Sequence, residues 1–224
     1  MSSPSPEELQ ALYDRRFEPN LEYRKAVWRV LVDEMFQRYV PPDGAVLDLG
    51  CGYGEFINSV RAVTRFGMDL NPATAERLDA GVTYLQQDCS ADWALPRDSL
   101  DLVFTSNFFE HLPDKKTLAD TLEQVLSHLK PGGRLVAMGP NIRLTPGAYW
   151  DFWDHYLPLS DRSLVEGLRA QGFEIEECHP HFLPYTMVGA RQYPMFMLRA
   201  YLRMPRAWRF FGKQFLVTAS RRRV

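Results

Sequence analysis

The stretch Ala45-Val-Leu-Asp-Leu-Gly-Cys-Gly-Tyr-Gly54 decides the fold. Five residues dominated by apolar side chains and preceded by the turn Pro41-Pro-Asp-Gly44 read as a buried strand, and the glycines that follow form a loop. Residues 55–62 then suit a helix. Strand, glycine loop and helix in that order mark the first unit of a doubly wound sheet, in which the loop meets a ligand at the carboxyl edge.

Outward from this unit the alternation repeats. Residues 65–70 read as strand, 72–80 as helix, and 82–86 and 100–106 as strands. Residues 115–129 carry Leu118, Leu122, Val125, Leu126 and Leu129 on one helical stripe, stopped by Lys130-Pro-Gly-Gly133. Residues 134–139 give the next strand. Ser160-Asp-Arg-Ser163 caps a helix ending at Gly172, and residues 173–178 are strand-like. Residues 180–191 read as loop, 193–203 as helix and 215–219 as a final strand. Upstream, residues 7–16 and 21–39 read as two helices, the second with Tyr23, Val27, Val30, Leu31, Glu34 and Met35 at helical spacing. The predicted fold is α/β, a doubly wound seven-stranded and mostly parallel sheet with helices on both faces. An N-terminal helical segment over residues 1–40 would cover the ligand site, and residues 41–224 would form the main domain, with lid segments near 140–160 and 180–212.

The 224 residues, 46% hydrophobic and 24% charged, suffice for one core but not for two catalytic domains. A formal charge of −2 gives no reason to expect nucleic acid as a partner. Its distribution is uneven, because residues 191–224 carry nine Arg or Lys and no Asp or Glu. There Arg alternates with large apolar side chains, as in a helix lying on a membrane surface or in a lid packed on the core. Three cysteines without metal or disulfide spacing, no signal-like N-terminus and no apolar run of about 20 residues point to a cytoplasmic protein.

The glycine loop does not fit a dinucleotide. The pattern G-x-G-x-x-G fails from Gly50, where Glu55 takes the third position, and from Gly52, where Ile57 does. Asp48 and Glu55 would repel a pyrophosphate but favour a ligand with cationic groups, such as the ammonium and sulfonium of S-adenosylmethionine. Asp69, at the end of the second predicted strand, can accept from both ribose hydroxyls, and Asp88, after the third, from an adenine amino group.

These residues, with Gly67-Met-Asp-Leu-Asn71, Leu100-Asp-Leu-Val-Phe-Thr-Ser-Asn-Phe-Phe-Glu-His-Leu112 and Leu129-Lys-Pro-Gly-Gly-Arg-Leu135, resemble the class I S-adenosylmethionine-dependent methyltransferases of the small type-11 group over residues 45–178. The resemblance implies that Asp48, Gly50, Cys51, Gly52 and Gly54 line the methionine part of the cofactor. It implies that Asp69 with Leu70 borders the ribose, Asp88 with Cys89 the adenine, and Asn107 with Phe108 the floor. It also implies a last strand inserted antiparallel near the sheet edge. Arg24, on the preceding helix, is a candidate for the cofactor carboxylate. The ending, His181-Phe-Leu-Pro-Tyr-Thr186 and Gly212-Lys-Gln-Phe-Leu216, is similar to bacterial methyltransferases of glycan or natural-product assembly, which implies a small-molecule or glycan acceptor, methylated at oxygen.

Methyl transfer from a sulfonium needs no protein nucleophile, so positioning dominates and an oxygen acceptor adds only the need for a base. His111, after the fourth strand, and His155 are the candidates for that base or for positioning. The aromatic run Tyr149-Trp-Asp-Phe-Trp-Asp-His-Tyr156 suggests the acceptor pocket, with Asn141, Tyr149, Trp150, Asp154, Tyr156 and Tyr185 at the acceptor. Asp151, Asp154 and His155 lack paired metal spacing and have no second His or Cys nearby in sequence, so no metal is expected. His128 reads as a solvated helix residue, and His179 and His181 as surface groups near the pocket. Two other readings remain. One is a catalytically silent member of the fold acting as a binding or regulatory subunit, and the other an NAD-dependent oxidoreductase.

Overall fold

The computed structural model describes residues 20–185 and 192–223. Seven strands form one sheet: β1 (Ala45–Leu49), β2 (Thr64–Met68), β3 (Val82–Leu85), β4 (Leu100–Ser106), β5 (Leu129–Pro140), β6 (Glu174–His179) and β7 (Gln214–Ser220). Their order is β3-β2-β1-β4-β5-β7-β6. Strands β1 to β5 pair in parallel, and β7 runs antiparallel between β5 and β6. The antiparallel last strand expected from the resemblance is present. The helices are α1 (Leu21–Leu31), α2 (Glu55–Ser59), α3 (Lys115–His128), α4 (Asp161–Ala170), α5 (Met195–Leu202) and α6 (Pro205–Phe211).

The period of two along each strand divides the core. Leu47 of β1, Val103 of β4, Leu135 and Ala137 of β5 and Val217 of β7 face a cluster completed by Leu118, Leu122 and Val125 of α3 and Leu164 and Leu168 of α4. The alternate residues Val46, Leu102, Phe104, Val136, Met138 and Leu216 face a second cluster with α1, α2, α5 and α6. Helices therefore cover both faces, as a parallel sheet requires. The second cluster is aromatic: Phe56 stacks on Phe104 at 3.7 Å between centroids, and Trp28 meets Phe104 edge-on at 5.9 Å.

Capping follows the sequence. Asp114 accepts from Thr117 N–H (2.8 Å) to start α3, and Ser160 and Ser163 form a reciprocal capping box at α4. Three expectations need correction. Residues 72–80 form only a 3-10 turn over Pro72–Arg77, because the Asn71 side chain, accepting from Ala73 N–H at 3.0 Å, sets a tight turn. Lys130-Pro-Gly-Gly133 does not leave the sheet but is a bulged start of β5, with Gly132 at φ +80° and Gly133 so close to Leu100 that a Cβ would lie 2.9 Å from its carbonyl oxygen. His128 is buried, stacked on Trp93 at 4.9 Å with Nδ1 2.8 Å from the Gln124 carbonyl oxygen, and is therefore not a solvated side chain. α1 passes directly into a π-turn at Val32–Phe36, and α6 is a helix the sequence reading did not anticipate. The expected helix over residues 7–16 lies outside the described residues. Among the described residues no helix is long and apolar enough to cross a membrane.

Candidate functional site

The strand order reverses direction at β1, which has β2 on one side and β4 on the other, and a cleft opens at their carboxyl ends. Residues of the glycine loop after β1, Ser106 and Asn107 after β4, and Phe152, His155 and Tyr185 line it.

Gly50, Gly52 and Gly54 all adopt positive φ (+71°, +49° and +71°), and a Cβ on Gly50 would come within 2.3 Å of the Phe108 ring. Only glycine lets the loop curl this tightly. The curl leaves few amides for a ligand. Gly50 and Cys51 N–H donate to the Met68 carbonyl (2.9 and 3.1 Å), Gly52 N–H to the Asp69 carboxylate (2.9 Å) and Gly54 N–H to the Cys51 carbonyl (2.7 Å). A pyrophosphate would find those four donors already engaged. Three carboxylates stand around the loop instead.

Asp48 is buried at 4% exposure, and its carboxyl is pushed well above the usual range, first by burial and then by the charges of Glu55 and Asp69, against the opposing hydrogen bond from Ile57 N–H. Glu55 is pushed up by burial and pulled back by Arg24, with which it forms a buried ion pair at 2.6 Å. Asp69 accepts a second backbone bond from Asn71 N–H at 2.9 Å. A buried carboxyl among other carboxylates is relieved by a cationic ligand, so the donor set fits the ammonium and sulfonium of S-adenosylmethionine. Asn107 is held at φ +51°, a strained conformation for a non-glycine residue, with its N–H on the Met138 carbonyl (2.9 Å).

The far end of the cleft holds a cluster of proton-exchanging groups. Glu110, in the 3-10 turn Phe109–His111, is buried, and burial pushes its carboxyl up to about 7, with His111 pulling down and Asp154 pushing further up. His111 Nδ1 lies 2.7 Å from the Asp154 carbonyl oxygen and 3.5 Å from its carboxylate. The rings of His111 and His155 meet edge-on at 5.1 Å, and Phe152 stacks on His155 at 4.9 Å. His111 and His155, distant in sequence, are brought together because Tyr156 and Leu157 N–H both donate to the Glu110 carbonyl (2.8 and 3.0 Å).

Of the residues expected at the cofactor, Arg24, Asp48, Gly50, Cys51, Gly52 and Asn107 line this cleft. Gly54, Asp69, Leu70, Asp88, Cys89 and Phe108 lie outside its lining. Leu70 is exposed, Asp88 accepts from the amide and hydroxyl of Ser90 (2.8 and 2.7 Å), and Cys89 is buried against Thr121 (3.3 Å). Of the acceptor-side residues, His111, His155 and Tyr185 line the cleft, and the Tyr185 hydroxyl donates to the Ala148 carbonyl (3.0 Å).

Two residues expected at the acceptor, Asn141 and Tyr149, lie outside the cleft lining. Asn141 is fully buried, its amide donating to Asp161 (2.8 Å) and to the Pro180 carbonyl (3.1 Å), so it ties the lid to α4. Tyr149 is also fully buried, its hydroxyl donating to the Leu157 carbonyl (2.7 Å) as the lid's own core. Trp150 and Tyr156 are exposed and outside the cleft lining, and Asp154 orients His111 rather than facing the cleft. Glu110, Trp28, Phe152 and Gln214 line the cleft without having been singled out. Glu110 had a signal, a carboxylate one residue before a candidate histidine at a strand end. Gln214 had none, since only the antiparallel pairing of β7 places it opposite Pro140.

The sheet order, the glycine curl and the acidic ring are those of the class I S-adenosylmethionine-dependent methyltransferase fold. The chain belongs to the methyltransferase domain family, whose model matches residues 21–178. It is 29% identical over 154 residues to 2-methyl-6-phytyl-1,4-hydroquinone methyltransferase of Synechocystis sp., a match covering 59% of this chain and 47% of that protein. It is 26% identical over 132 residues to a protein named as a chloroplastic tocopherol O-methyltransferase of Oryza sativa subsp. japonica, covering 51% of this chain and 35% of the other. The matches thus span half or less of these relatives. A chain from the Haloferax volcanii complex between the Trm112 methyltransferase activator and a methyltransferase superposes with a TM-score of 0.71 at 18% identity, covering 99% of this chain and 100% of that one. That likeness concerns the fold.

Proposed function

We propose that the protein transfers a methyl group from S-adenosylmethionine to an oxygen of a small-molecule or glycan acceptor. The observation that carries this reading is the cluster of Glu110, His111 and His155 at the far end of the same cleft that the acidic glycine loop opens. A hydroxyl acceptor must lose a proton on methylation, and groups able to take one stand where an acceptor would enter. When bound, the cofactor supplies a methyl carbon on a good leaving group. Asp48, Gly50, Gly52 and Gly54 would hold its methionine end, Asp69 with Leu70 would border its ribose and Asp88 with Cys89 its adenine, and Asn107 with Phe108 would lie under it. Phe152 and Tyr185 hold the acceptor and exclude water, and His111 or His155 receives its proton. The names of the two relatives, one a hydroquinone methyltransferase and the other a tocopherol O-methyltransferase, support a small-molecule acceptor.

The basic C-terminal segment supports a further partner, an anionic membrane surface. Arg199 and Arg203 are paired with Glu34, and Arg222 with Glu174, but among the described residues Arg206 and Arg209 form no ion pair. Beside them Phe210 and Phe211 are 79% and 64% exposed. Basic groups flanking exposed aromatics suit an interfacial helix.

Calorimetric titration with S-adenosylhomocysteine, with NAD as control, followed by an acceptor screen, tests the main reading. Binding of the former alone is expected, and His111→Ala or His155→Ala should lose turnover while keeping that binding. Two fully active variants would remove both histidines from the reaction. Binding without any turnover across hydroxylated acceptors would favour the silent-subunit reading, and binding of NAD alone the oxidoreductase.

A further inference from the structure

We propose that Glu110, His111 and His155 form a binding site for one divalent cation of the zinc or manganese kind, open toward the acceptor. One ligand-capable atom from each of the three lies within 4.8 Å of the others. Short side-chain adjustments bring such a set to the roughly 2.0–2.2 Å bonds of a shared ion. Two imidazoles and a carboxylate are a borderline donor set, suited to zinc, manganese or iron rather than to magnesium or calcium.

The surroundings orient the donors. A carbonyl oxygen can only accept, so the 2.7 Å contact between His111 Nδ1 and the Asp154 carbonyl places the ring proton on Nδ1 and leaves Nε2 with its lone pair. A metal-binding histidine is typically fixed in this way, by a carbonyl or carboxylate on its other nitrogen. The His155 ring is clamped between Phe152 at 4.9 Å and Tyr149 at 4.6 Å between centroids. Glu110 is buried, and among the described residues no Lys or Arg pairs with it. Two main-chain bonds from Tyr156 and Leu157 to the Glu110 carbonyl hold the lid histidine over this carboxylate. A buried carboxylate with no cationic side chain beside it, facing two oriented imidazoles, is the environment a cation completes.

Three protein ligands leave coordination positions free, and all three residues line the cleft. An ion there would draw the acceptor hydroxyl to itself and lower its proton affinity, so that its proton could pass to water while the two histidines serve as ligands. Acceptors with two adjacent oxygens, able to chelate, are the class this site selects. That last step rests on the methyl-transfer reading; the ion site itself does not.

The test uses the full chain after chelator treatment, titrated calorimetrically with zinc and separately with manganese, and loaded with cobalt to record its absorption spectrum. One ion per chain is expected, with cobalt bands of a nitrogen-containing site. Glu110→Gln and His155→Asn should each weaken binding at least tenfold, and His111→Ala should remove the cobalt bands. S-adenosylhomocysteine binding in each variant reports that the fold is intact. No stoichiometric binding, or binding unchanged in all three variants, overturns the site. Metal binding without methyl transfer to any acceptor would leave the site standing and overturn the reading of the activity, whereas transfer unaffected by chelator in a protein that binds no metal would do the reverse.

Discussion

Asp48→Asn should stabilise the ligand-free protein while weakening its hold on the cofactor. Asp48 lies at the end of β1 with 4% exposure, accepts from Ile57 N–H and is flanked by Glu55 and Asp69. Asparagine keeps the shape and the acceptor oxygen for the Ile57 amide but removes the charge. Relieving a carboxylate that a binding site holds against burial typically returns about 0.5–2 kcal/mol of stability. For a chain of this size that is a rise of roughly 1–8 °C in Tm. The pH dependence follows from the raised folded pKa. Above the unfolded carboxyl pKa of about 3.9 the unfolded chain releases a proton that the folded chain still holds. Stability of the ligand-free protein therefore falls as pH rises from there through the raised folded pKa, and the Asn variant should lack that part of the fall. Loss of a charged hydrogen-bond partner for the ligand's cationic groups should cost about 1.5–3 kcal/mol, or about 10- to 150-fold in Kd for S-adenosylmethionine. Thermal scans between acid and neutral pH with calorimetric titration read both effects. A lower Tm in the variant together with unchanged affinity would refute the argument that burial strains this acid and that a cationic ligand relieves it.

Asp69→Ala should weaken S-adenosylhomocysteine by about 1–3 kcal/mol in calorimetry, through lost ribose contacts and through the released Gly52 amide; unchanged affinity would remove Asp69 from the site. Arg24→Met should destabilise the fold by about 3–5 kcal/mol in denaturant titration by stranding Glu55, and Arg24→Met with Glu55→Gln should recover most of that loss; equal losses in the single and double variants would deny the pair its role. Arg206→Ser with Arg209→Ser should lower co-sedimentation with phosphatidylserine vesicles by about 1 kcal/mol per Arg while leaving S-adenosylhomocysteine binding alone, and a wild-type protein that ignores such vesicles would dispose of the membrane contact.

The glycine loop and the acid that meets it were legible because their determinants are local. A strand, three glycines that can adopt positive φ and an acid at the next strand end sit within some twenty residues, and the parallel pairing of β1 with β2 brings Asp69 back to Gly52 without help from distant parts of the chain. The alternation of strands and helices likewise made all seven strands legible. The acceptor half depends on contacts between remote segments. Asn141 and Tyr149 looked like pocket residues because polar and aromatic groups in a loop suggest a binding surface, yet a lid this long needs its own core and anchors, and these two side chains supply them. Along the sequence, no second histidine stands near His155. In the fold, the carbonyl of Glu110 captures the amides of Tyr156 and Leu157, and that pairing carries His155 across forty-odd residues of chain to His111. Sequence spacing shows ligands that one element presents together; it is blind to those that a pair of backbone hydrogen bonds assembles. For the same reason the residues that select an acceptor in this fold are to be sought where the lid is stitched to the strand ends, at Glu110, Phe152, Tyr185 and Gln214, rather than in the exposed aromatics that draw the eye in the sequence.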